Sequence, residues 1–292
     1  MAGNQQHPSI FKPTDLVPPD AQFNVTRRFL ADPHPDKINL GQGTYRDEDG
    51  QRWILPAVRM AKAALGSSTT SICPSLDTSH LEQWKAIGAT IVEKKLYPIF
   101  DSAYLGFNSG SFDDDAWPIR YFLKNLSIEF AVCLSTVKNM GLYGERIGLV
   151  TCVLPTASAA QVATSVLQKV QRSTITAPPT YGARVAAQVL GTPPIREQWA
   201  KDLVAMSSRL RAVRRQLYEE LVRLETPGDW SHVVKQTGMF AYIGISKTQI
   251  FHLEDKFHVY MVESSRISVA GLNKNNIQRF VKALDQTLRT VQ

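Results

Sequence analysis

Two short segments carry side chains whose chemistry suits a phosphorylated aldehyde cofactor. Lys138 is followed eight residues later by Arg146, and Asp101 and Tyr104 lie in a second segment upstream. An amine can capture an aldehyde, a guanidinium binds phosphate, a carboxylate pairs with a ring nitrogen, and a phenol bonds to a ring oxygen. Pyridoxal phosphate offers all four of these groups, so the two segments together predict a site for it.

The stretches that would position these residues include three apolar runs separated by helical patterns. The strand-like runs cover 95–100, 128–134 and 146–154. Their alternation with helices is typical of a parallel α/β sheet, in which functional groups collect at the carboxyl ends of the strands. We therefore expect three or four parallel strands, with Asp101 at the carboxyl edge of the first.

A second region follows and has the pattern of a smaller α+β unit. Apolar residues recur every three or four positions across 196–225, which predicts a long helix that could join two domains. Strand-like runs at 239–245 and 257–262 and a helical pattern over 275–291 complete this region. The long helix carries a cluster of arginines that we expect on its solvated face: Arg209, Arg211, Arg214 and Arg215.

The composition excludes several classes of protein. The formal net charge is +7, but the basic residues are distributed and no basic patch contains interleaved aromatics, which argues against nucleic-acid binding. No apolar run approaches the ~18 residues needed to span a bilayer. The cysteines and histidines lack metal-ligand spacing, so we predict no metal site. Reduced thiols of this kind are typical of a cytoplasmic protein.

Four sequence blocks, in order along the chain, resemble the aspartate aminotransferases, which are fold-type-I pyridoxal-phosphate enzymes. The blocks are INLGQGTYR at 38–46, FDSAYLGF at 100–107, KNMGLYGERIG at 138–148 and SRISVAGL at 265–272. The resemblance implies an α/β fold, namely a truncated fold-type-I transferase. Such a fold would have a partial, mostly parallel sheet with flanking helices plus a smaller α+β domain.

The resemblance also implies roles for the residues that would bind the cofactor. Lys138 matches the lysine that binds the aldehyde and later moves a proton, and Asp101 matches the acid that pairs with the ring nitrogen. Tyr104 matches the phenol that bonds the ring oxygen, and Ser135 and Arg146 match two phosphate ligands. The alternative for Asp101 is a plain strand-end aspartate, and for Arg146 it is an ion pair with a neighbouring carboxylate.

Three further residues match the family's contacts to substrate. Arg266 would hold the α-carboxylate, Gly43 would contact the substrate through its backbone, and Arg172 would select a side-chain carboxylate. In the family the last of these arginines reaches in from a partner subunit, so the resemblance implies a homodimer. It also implies aspartate or glutamate and a 2-oxo acid as substrates. The alternative for Arg172 is a solvated charge at the end of a helix.

The resemblance divides the chain into three parts and shows where it departs from the family. The parts are an N-terminal arm (1–24), a large cofactor-binding domain (47–195), and a small domain formed by 25–46 and 196–292. The family's chain is longer by roughly 120 residues, which is a domain-scale difference. The shortfall lies between Leu65 and Cys73, where the family has its phosphate-cradling turn.

Three interpretations remain open from the sequence. The chain is an aminotransferase whose remaining residues still bind the cofactor and transfer amino groups. Alternatively, it is a catalytically impaired descendant that acts as a dimeric binding or scaffold protein. A third interpretation is that the sequence is an incomplete gene product. The presence of Lys138, Asp101, Tyr104 and three candidate arginines favours the first interpretation for the family assignment.

Overall fold

The structure is a computed structural model that describes residues 20–51, 53–64 and 81–291. Most of the predicted N-terminal arm lies outside these residues. The departure from the family near 66–73 also lies outside them. Within the described residues, no helix is both long enough and apolar enough to cross a membrane.

Helices and strands alternate through the first half of the described chain, and helices dominate the second half. The helices are α1 Ala21–Ala31, α2 Pro56–Ala64, α3 Leu81–Glu93, α4 Phe112–Asp115, α5 Trp117–Asn125, α6 Ala157–Thr174, α7 Tyr181–Gly191, α8 Pro193–Arg223, α9 Ser231–Lys235, α10 Lys247–Phe257 and α11 Ile277–Thr290. The strands are β1 Ile38–Asn39, β2 Ile99–Ser102, β3 Phe130–Ser135, β4 Gly148–Val153, β5 Phe240–Tyr242, β6 Val259–Tyr260 and β7 Arg266–Ser268. Both long patterns, 196–225 and 275–291, are confirmed as helices.

The largest sheet of the described residues has the order β2-β3-β4. Strands β2 and β3 are parallel, as predicted, with Asp101 opposite Cys133. Strand β4 is antiparallel to β3, so the expectation that all three strands are parallel is wrong. The physical reason is the connection 136–147, which forms turns and no helix. A parallel return would need a crossover, usually a helix.

We call 81–174 the sheet region, and its hydrophobic core is small. Helices α3 and α5 pack against the sheet and enclose this core, which consists of four aromatic residues and one valine: Trp84, Phe100, Phe122, Phe130 and Val132. Thr156 caps the start of helix α6, because its hydroxyl accepts from the backbone N–H of Ala159. The helix nevertheless buries no residue among those described. Apolar side chains of α6 and β4 therefore stay exposed along a groove of about 560 Å³.

We call 193–291 together with β1 the α8 region, and it holds most of the buried side chains. Helix α8 begins with Pro193 and Pro194, which suit a helix start because the first N–H groups lack helical acceptors. Its apolar positions are buried at the predicted spacing: Ile195, Trp199, Leu203, Met206, Leu210, Val213, Leu217 and Leu221. Strand β1 pairs in parallel with β6, and β5 pairs antiparallel with β7.

The arginine cluster of α8 is only partly solvated: Arg211 and Arg215 are exposed as predicted, whereas Arg209 is half-buried and Arg214 is buried. Arg214 is 3% exposed, and its guanidinium donates to the backbone carbonyls of Val233, Thr237 and Gly238 at 3.0 to 3.1 Å. It also donates to the carbonyl of Phe240. The charge patterning missed this role because the carbonyls that Arg214 binds are distant in sequence, from α9 to the start of β5.

Candidate active site

A cleft of about 400 Å³ lies where the sheet region meets the α8 region. Five of the eight predicted site residues line it: Gly43, Tyr104, Lys138, Arg146 and Arg266. The rest of its lining comes from α1, the segment after β1, and β5: Asp20, Gln22, Phe23, Thr26, Gln42, Thr44 and Phe240. The volume is within the range of small-molecule sites, about 300–1,000 Å³.

Lys138 lies in a turn that follows β3, and its amine faces the ring of Tyr104. The Nζ atom is 5.2 Å from the ring centroid of Tyr104, which itself follows β2. Because β2 and β3 are parallel neighbours, their carboxyl ends lie side by side and bring the two residues together. Both side chains are half-buried, so their functional groups reach the cleft while their stems pack against the protein.

Arg146 reaches the cleft from the end of the same turn segment, just before β4. Its backbone φ angle is 51°, in the left-handed region that residues other than glycine rarely adopt. Such strain costs on the order of 1–3 kcal/mol and is found at functional sites where the surrounding structure maintains it. The conformation turns an exposed guanidinium toward the space that Lys138 also faces.

Gly43, in the segment after β1, and Arg266, from the α8 region, both reach the cleft beside Phe240. A Cβ on Gly43 would lie 2.8 Å from Cζ of Phe240 and 3.4 Å from the hydroxyl of Tyr104, so glycine is required for this close approach. The guanidinium carbon of Arg266 is 4.3 Å from the ring centroid of Phe240. This cation–π contact orients the arginine.

Phe240 is a site residue that the sequence reasoning missed. Its ring packs edge-on against Tyr104, with the two centroids 5.7 Å apart, and it therefore contacts both sides of the cleft. Strand β5 places it beside β7, which carries Arg266 at its start. The available signal was the strand-like run 239–245 shortly before the block that contains Arg266. The antiparallel pairing that joins them could not be derived from that run.

Three predicted site residues do not line the cleft. Ser135 is fully buried, and its hydroxyl donates to the carbonyl of Ile147 at 3.3 Å and accepts from the N–H of Val137 at 3.0 Å. Asp101 lies near the carboxyl end of β2, as predicted, but its side chain is exposed. Arg172 is exposed in the last turn of α6.

Asp101 influences a neighbour in the sheet. The pKa of the Cys133 thiol is raised, first by burial and then by the negative charge of Asp101. The charge acts on this thiol because the register of β2 and β3 pairs the two residues.

The residues that line the cleft fit the groups of pyridoxal phosphate. An amine and a phenol lie side by side, and two guanidinium groups face the same space. The missing side chain at Gly43 lets its backbone lie close to Phe240 and Tyr104 at the edge of that space. The fit therefore covers the aldehyde, the ring oxygen and the negatively charged groups.

Comparison with known proteins gives the family. The sequence model of aminotransferase class I and II matches residues 73–284. The chain belongs to this family. Its members depend on pyridoxal phosphate, and the fold-type-I α/β architecture expected from the sequence is confirmed.

The similar curated proteins are aminotransferases of several kinds. The cytoplasmic aspartate aminotransferase of Schizosaccharomyces pombe is 41% identical over 208 residues, which is 71% of this chain and 51% of that protein. An L-tyrosine:2-oxoglutarate aminotransferase of Aspergillus ustus is 40% identical over 209 residues, covering 70% of this chain and 40% of that protein. In alignments at about this identity, the chain spans about half the length of each relative or less.

A longer alignment shows that this chain is shorter than a full-length relative. The cytoplasmic aspartate aminotransferase of Saccharomyces cerevisiae is 28% identical over 407 residues, which include 96% of this chain and 97% of that protein. Because this chain has 292 residues, part of the yeast enzyme has no counterpart here. The solved structure of the yeast cytoplasmic enzyme has a TM-score of 0.89, covering 95% of this chain and 98% of that one.

Proposed function

We propose that this aminotransferase-family chain transfers an amino group between a dicarboxylic amino acid and a 2-oxo acid, using pyridoxal phosphate. The observation that carries the proposal is the position of Lys138 beside Tyr104 in a cleft that Arg146 and Arg266 also line. An amine, a phenol and two cations in one cleft suit a cofactor with an aldehyde and a phosphate, and a substrate with carboxylates.

Pyridoxal phosphate, when bound, supplies an aldehyde for the amino group and a ring that withdraws electrons. The chain's own residues would do the rest. The Nζ atom of Lys138 would hold the aldehyde end until the substrate's amino group displaces it, and the freed amine would then carry the proton from the substrate's Cα. The phenol of Tyr104 donates toward the ring oxygen, and Arg146 binds the phosphate through its bidentate fork.

The roles of Asp101 and Ser135 rest on the resemblance to the family alone. In the proposed function, Asp101 keeps the ring nitrogen protonated and Ser135 assists Arg146 at the phosphate. Both side chains lie outside the lining of the cleft. The hydroxyl of Ser135 would have to exchange its hydrogen bond to Ile147 for one to the phosphate.

Two arginines would select the substrate. Arg266, held against Phe240, binds the α-carboxylate, and the backbone at Gly43 contacts the same end of the molecule. Arg172 binds the side-chain carboxylate in the site of a partner subunit, which makes a homodimer part of the proposal. Its exposure at the end of α6 suits a residue that acts outside its own subunit.

The remaining parts of the proposal concern organisation and location. We divide the chain into an arm (1–24), a large domain (47–195) and a small domain (25–46 with 196–292). Cytoplasmic location is supported by the names of several relatives, including the fission yeast and budding yeast enzymes. Another relative, from Arabidopsis thaliana, is named a chloroplastic enzyme.

The decisive experiment fixes the cofactor to the protein. Purified protein is incubated with pyridoxal phosphate, reduced with borohydride and digested, and the modified peptide is identified by mass spectrometry. We expect the label on Lys138 and its loss in the Lys138→Ala variant. Lys124→Ala, which changes an exposed lysine of α5, serves as the matched control and should keep the label. Absence of the label from the wild-type peptide would reject cofactor binding.

A second assay tests turnover and substrate class. Aspartate and 2-oxoglutarate are supplied with the cofactor, and tyrosine replaces aspartate in a parallel reaction. Preference for aspartate that is lost in Arg172→Leu supports the proposed selection of dicarboxylates. Labelling of Lys138 without turnover would instead favour a catalytically impaired binding or scaffold protein.

A further inference from the structure

The peptide unit between Leu105 and Gly106, just after Tyr104, is held from both sides by buried side chains. Its carbonyl, that of Leu105, accepts from the side-chain amide of Asn139 at 3.1 Å. Its N–H, that of Gly106, donates to the carboxylate of Asp115 at 2.7 Å. Asn139 is fully buried and Asp115 is 5% exposed, so neither bond competes with bulk water. The turn that carries Tyr104 therefore has one fixed orientation.

Asn139 is also the neighbour of Lys138 in sequence, and its own backbone is fixed by α8. The indole N–H of Trp199 donates to the carbonyl of Asn139 at 2.8 Å, and Trp199 is 4% exposed. The next peptides close the turn, since the N–H of Met140 donates to Thr136 and that of Gly141 donates to Lys138. The segment after β3 is thus attached to α8 through one indole.

We propose that Asn139 is a positioning residue that fixes the amine of Lys138 relative to the phenol of Tyr104, with Trp199 holding Asn139 in place. This inference rests on the proposed function, because it concerns the geometry that the cofactor would meet. Asn139 follows the lysine, and its side chain binds the residue after the tyrosine. One side chain therefore connects the two turns that meet in the cleft.

The chemistry requires this connection for a simple reason. A bound aldehyde and ring oxygen are parts of one rigid ring system, so the amine and phenol that bind them must keep a constant separation. The strand pair β2–β3 aligns the ends of the strands, but both functional residues lie in turns beyond those ends. Side-chain bonds between the turns must then supply the remaining precision.

Two variants test the proposal from different directions. Asn139→Leu keeps the branching and the number of side-chain heavy atoms and removes the amide that binds Leu105. Trp199→Phe keeps an aromatic ring and removes only the N–H that binds Asn139. Matched controls make the same changes elsewhere: Asn276→Leu removes an amide that donates to Gly271 at 3.0 Å, and Trp230→Phe removes an indole that donates to Thr226 at 3.2 Å.

The first readout uses the cofactor. Visible-region circular dichroism per bound cofactor reports how rigidly the cofactor is oriented, and borohydride fixation at Lys138 reports the reach of the amine. One net hydrogen bond corresponds to roughly a fivefold change in an equilibrium. We expect about a fivefold loss of fixation at limiting pyridoxal phosphate in Asn139→Leu and a smaller loss in Trp199→Phe. The dichroism per bound cofactor should fall in both variants and stay unchanged in both controls.

The second readout uses the protein without cofactor. Hydrogen exchange of the backbone amides at 105–107 and 138–141 should accelerate in the Asn139 and Trp199 variants and not in the controls. If wild-type protein fixes no cofactor, the proposed function fails, while the exchange data still show whether Asn139 connects the turns. If wild-type protein fixes cofactor and the two variants behave like their controls in both readouts, the positioning role is overturned. Should Asn139→Leu fail to fold, Trp199→Phe against Trp230→Phe gives the same decision.

Discussion

The sheet region and the α8 region differ sharply in how they bury apolar side chains. Helix α8 presents a continuous apolar stripe to neighbours on several sides, whereas α6 buries no side chain among the described residues. Both helices are amphipathic in sequence, so the pattern alone does not separate them. The difference lies in the neighbours: α8 contacts α2, α7, α9 and α11, and α6 has β4 as its principal contact.

The two regions contribute differently to the stability of the fold and to the candidate active site. Burial in the α8 region provides the larger part of the free energy of folding, because apolar burial is the dominant favourable contribution. The cleft lies at the boundary, with Lys138 and Tyr104 from the sheet region and Phe240 and Arg266 from the α8 region. Met140 and Phe107 lie in the turns that carry Lys138 and Tyr104, and both are buried in the same hydrophobic cluster as the apolar residues of α8. The site is therefore supported by that cluster although α6 is not.

The largest expected difference is in the free energy of unfolding after leucine truncation in the two helices. Leu217 of α8 is fully buried, and Leu167 of α6 is 44% exposed. We expect Leu217→Ala to cost about 3 kcal/mol, because it removes buried methyl groups and leaves a cavity. Leu167→Ala should change stability by less than about 0.5 kcal/mol. Urea unfolding of both variants measures the difference, and equal costs would show that α6 is covered in solution.

A smaller effect is expected from Arg214, which fastens α8 to the start of β5. Its guanidinium donates to several backbone carbonyls of α9 and the segment after it, and Arg214→Met would leave these acceptors without their donor. We expect a loss of about 2 kcal/mol in unfolding free energy. The neighbouring Arg215→Met, at an exposed position, should be close to neutral. Because β5 carries Phe240, weaker binding of pyridoxal phosphate in Arg214→Met alone would further support a link between the core and the cleft.

A pH-dependent contribution is expected where α1 joins the α8 region. The pKa of Asp32 is lowered to about 2, first by the backbone N–H of His34 and also by bonds from Tyr260 and His258. The carboxylate therefore stabilises the fold above its unfolded pKa of about 3.9, and this stability is lost as the pH falls toward 2. Asp32→Asn should be less stable than wild type near pH 6 and approach it near pH 2. Unfolding curves across this range, with Asp255→Asn as an exposed control, measure the convergence.

Sequence reasoning predicted the elements well where periodicity was long and failed where pairing was distant. The long α8 and the final helix α11 follow from apolar spacing, and β2 and β3 follow from short apolar runs. The antiparallel direction of β4 could not be predicted, because a six-residue apolar run has the same pattern in a parallel and in an antiparallel strand. Direction was set by the turn segment 136–147, whose shape depends on bonds to distant residues.

The candidate site shows the same division. Local blocks indicated Lys138, Tyr104 and Arg146, which the structure places around one cleft. They gave no role to Phe240 or Asn139, whose contacts depend on a strand pairing and on a side-chain bond across 34 residues. Residue type reports what a side chain can do, whereas its partners report whether it acts on the substrate or on another residue.

The smallest expected change in stability, and the most direct test of the exposed surface, is at the edge strand β4. The strand has the sequence GLVTCV without a charged residue or proline, and Leu149 and Val150 are 57% and 43% exposed. An apolar edge strand of this kind favours pairing with another chain, and an added lysine prevents it. Val150→Lys should change the free energy of unfolding by less than about 0.5 kcal/mol while lowering concentration-dependent association in light scattering. Val204→Lys, at an exposed position of α8, controls for the added charge. Equal association in the two variants would show that the chains associate through another surface.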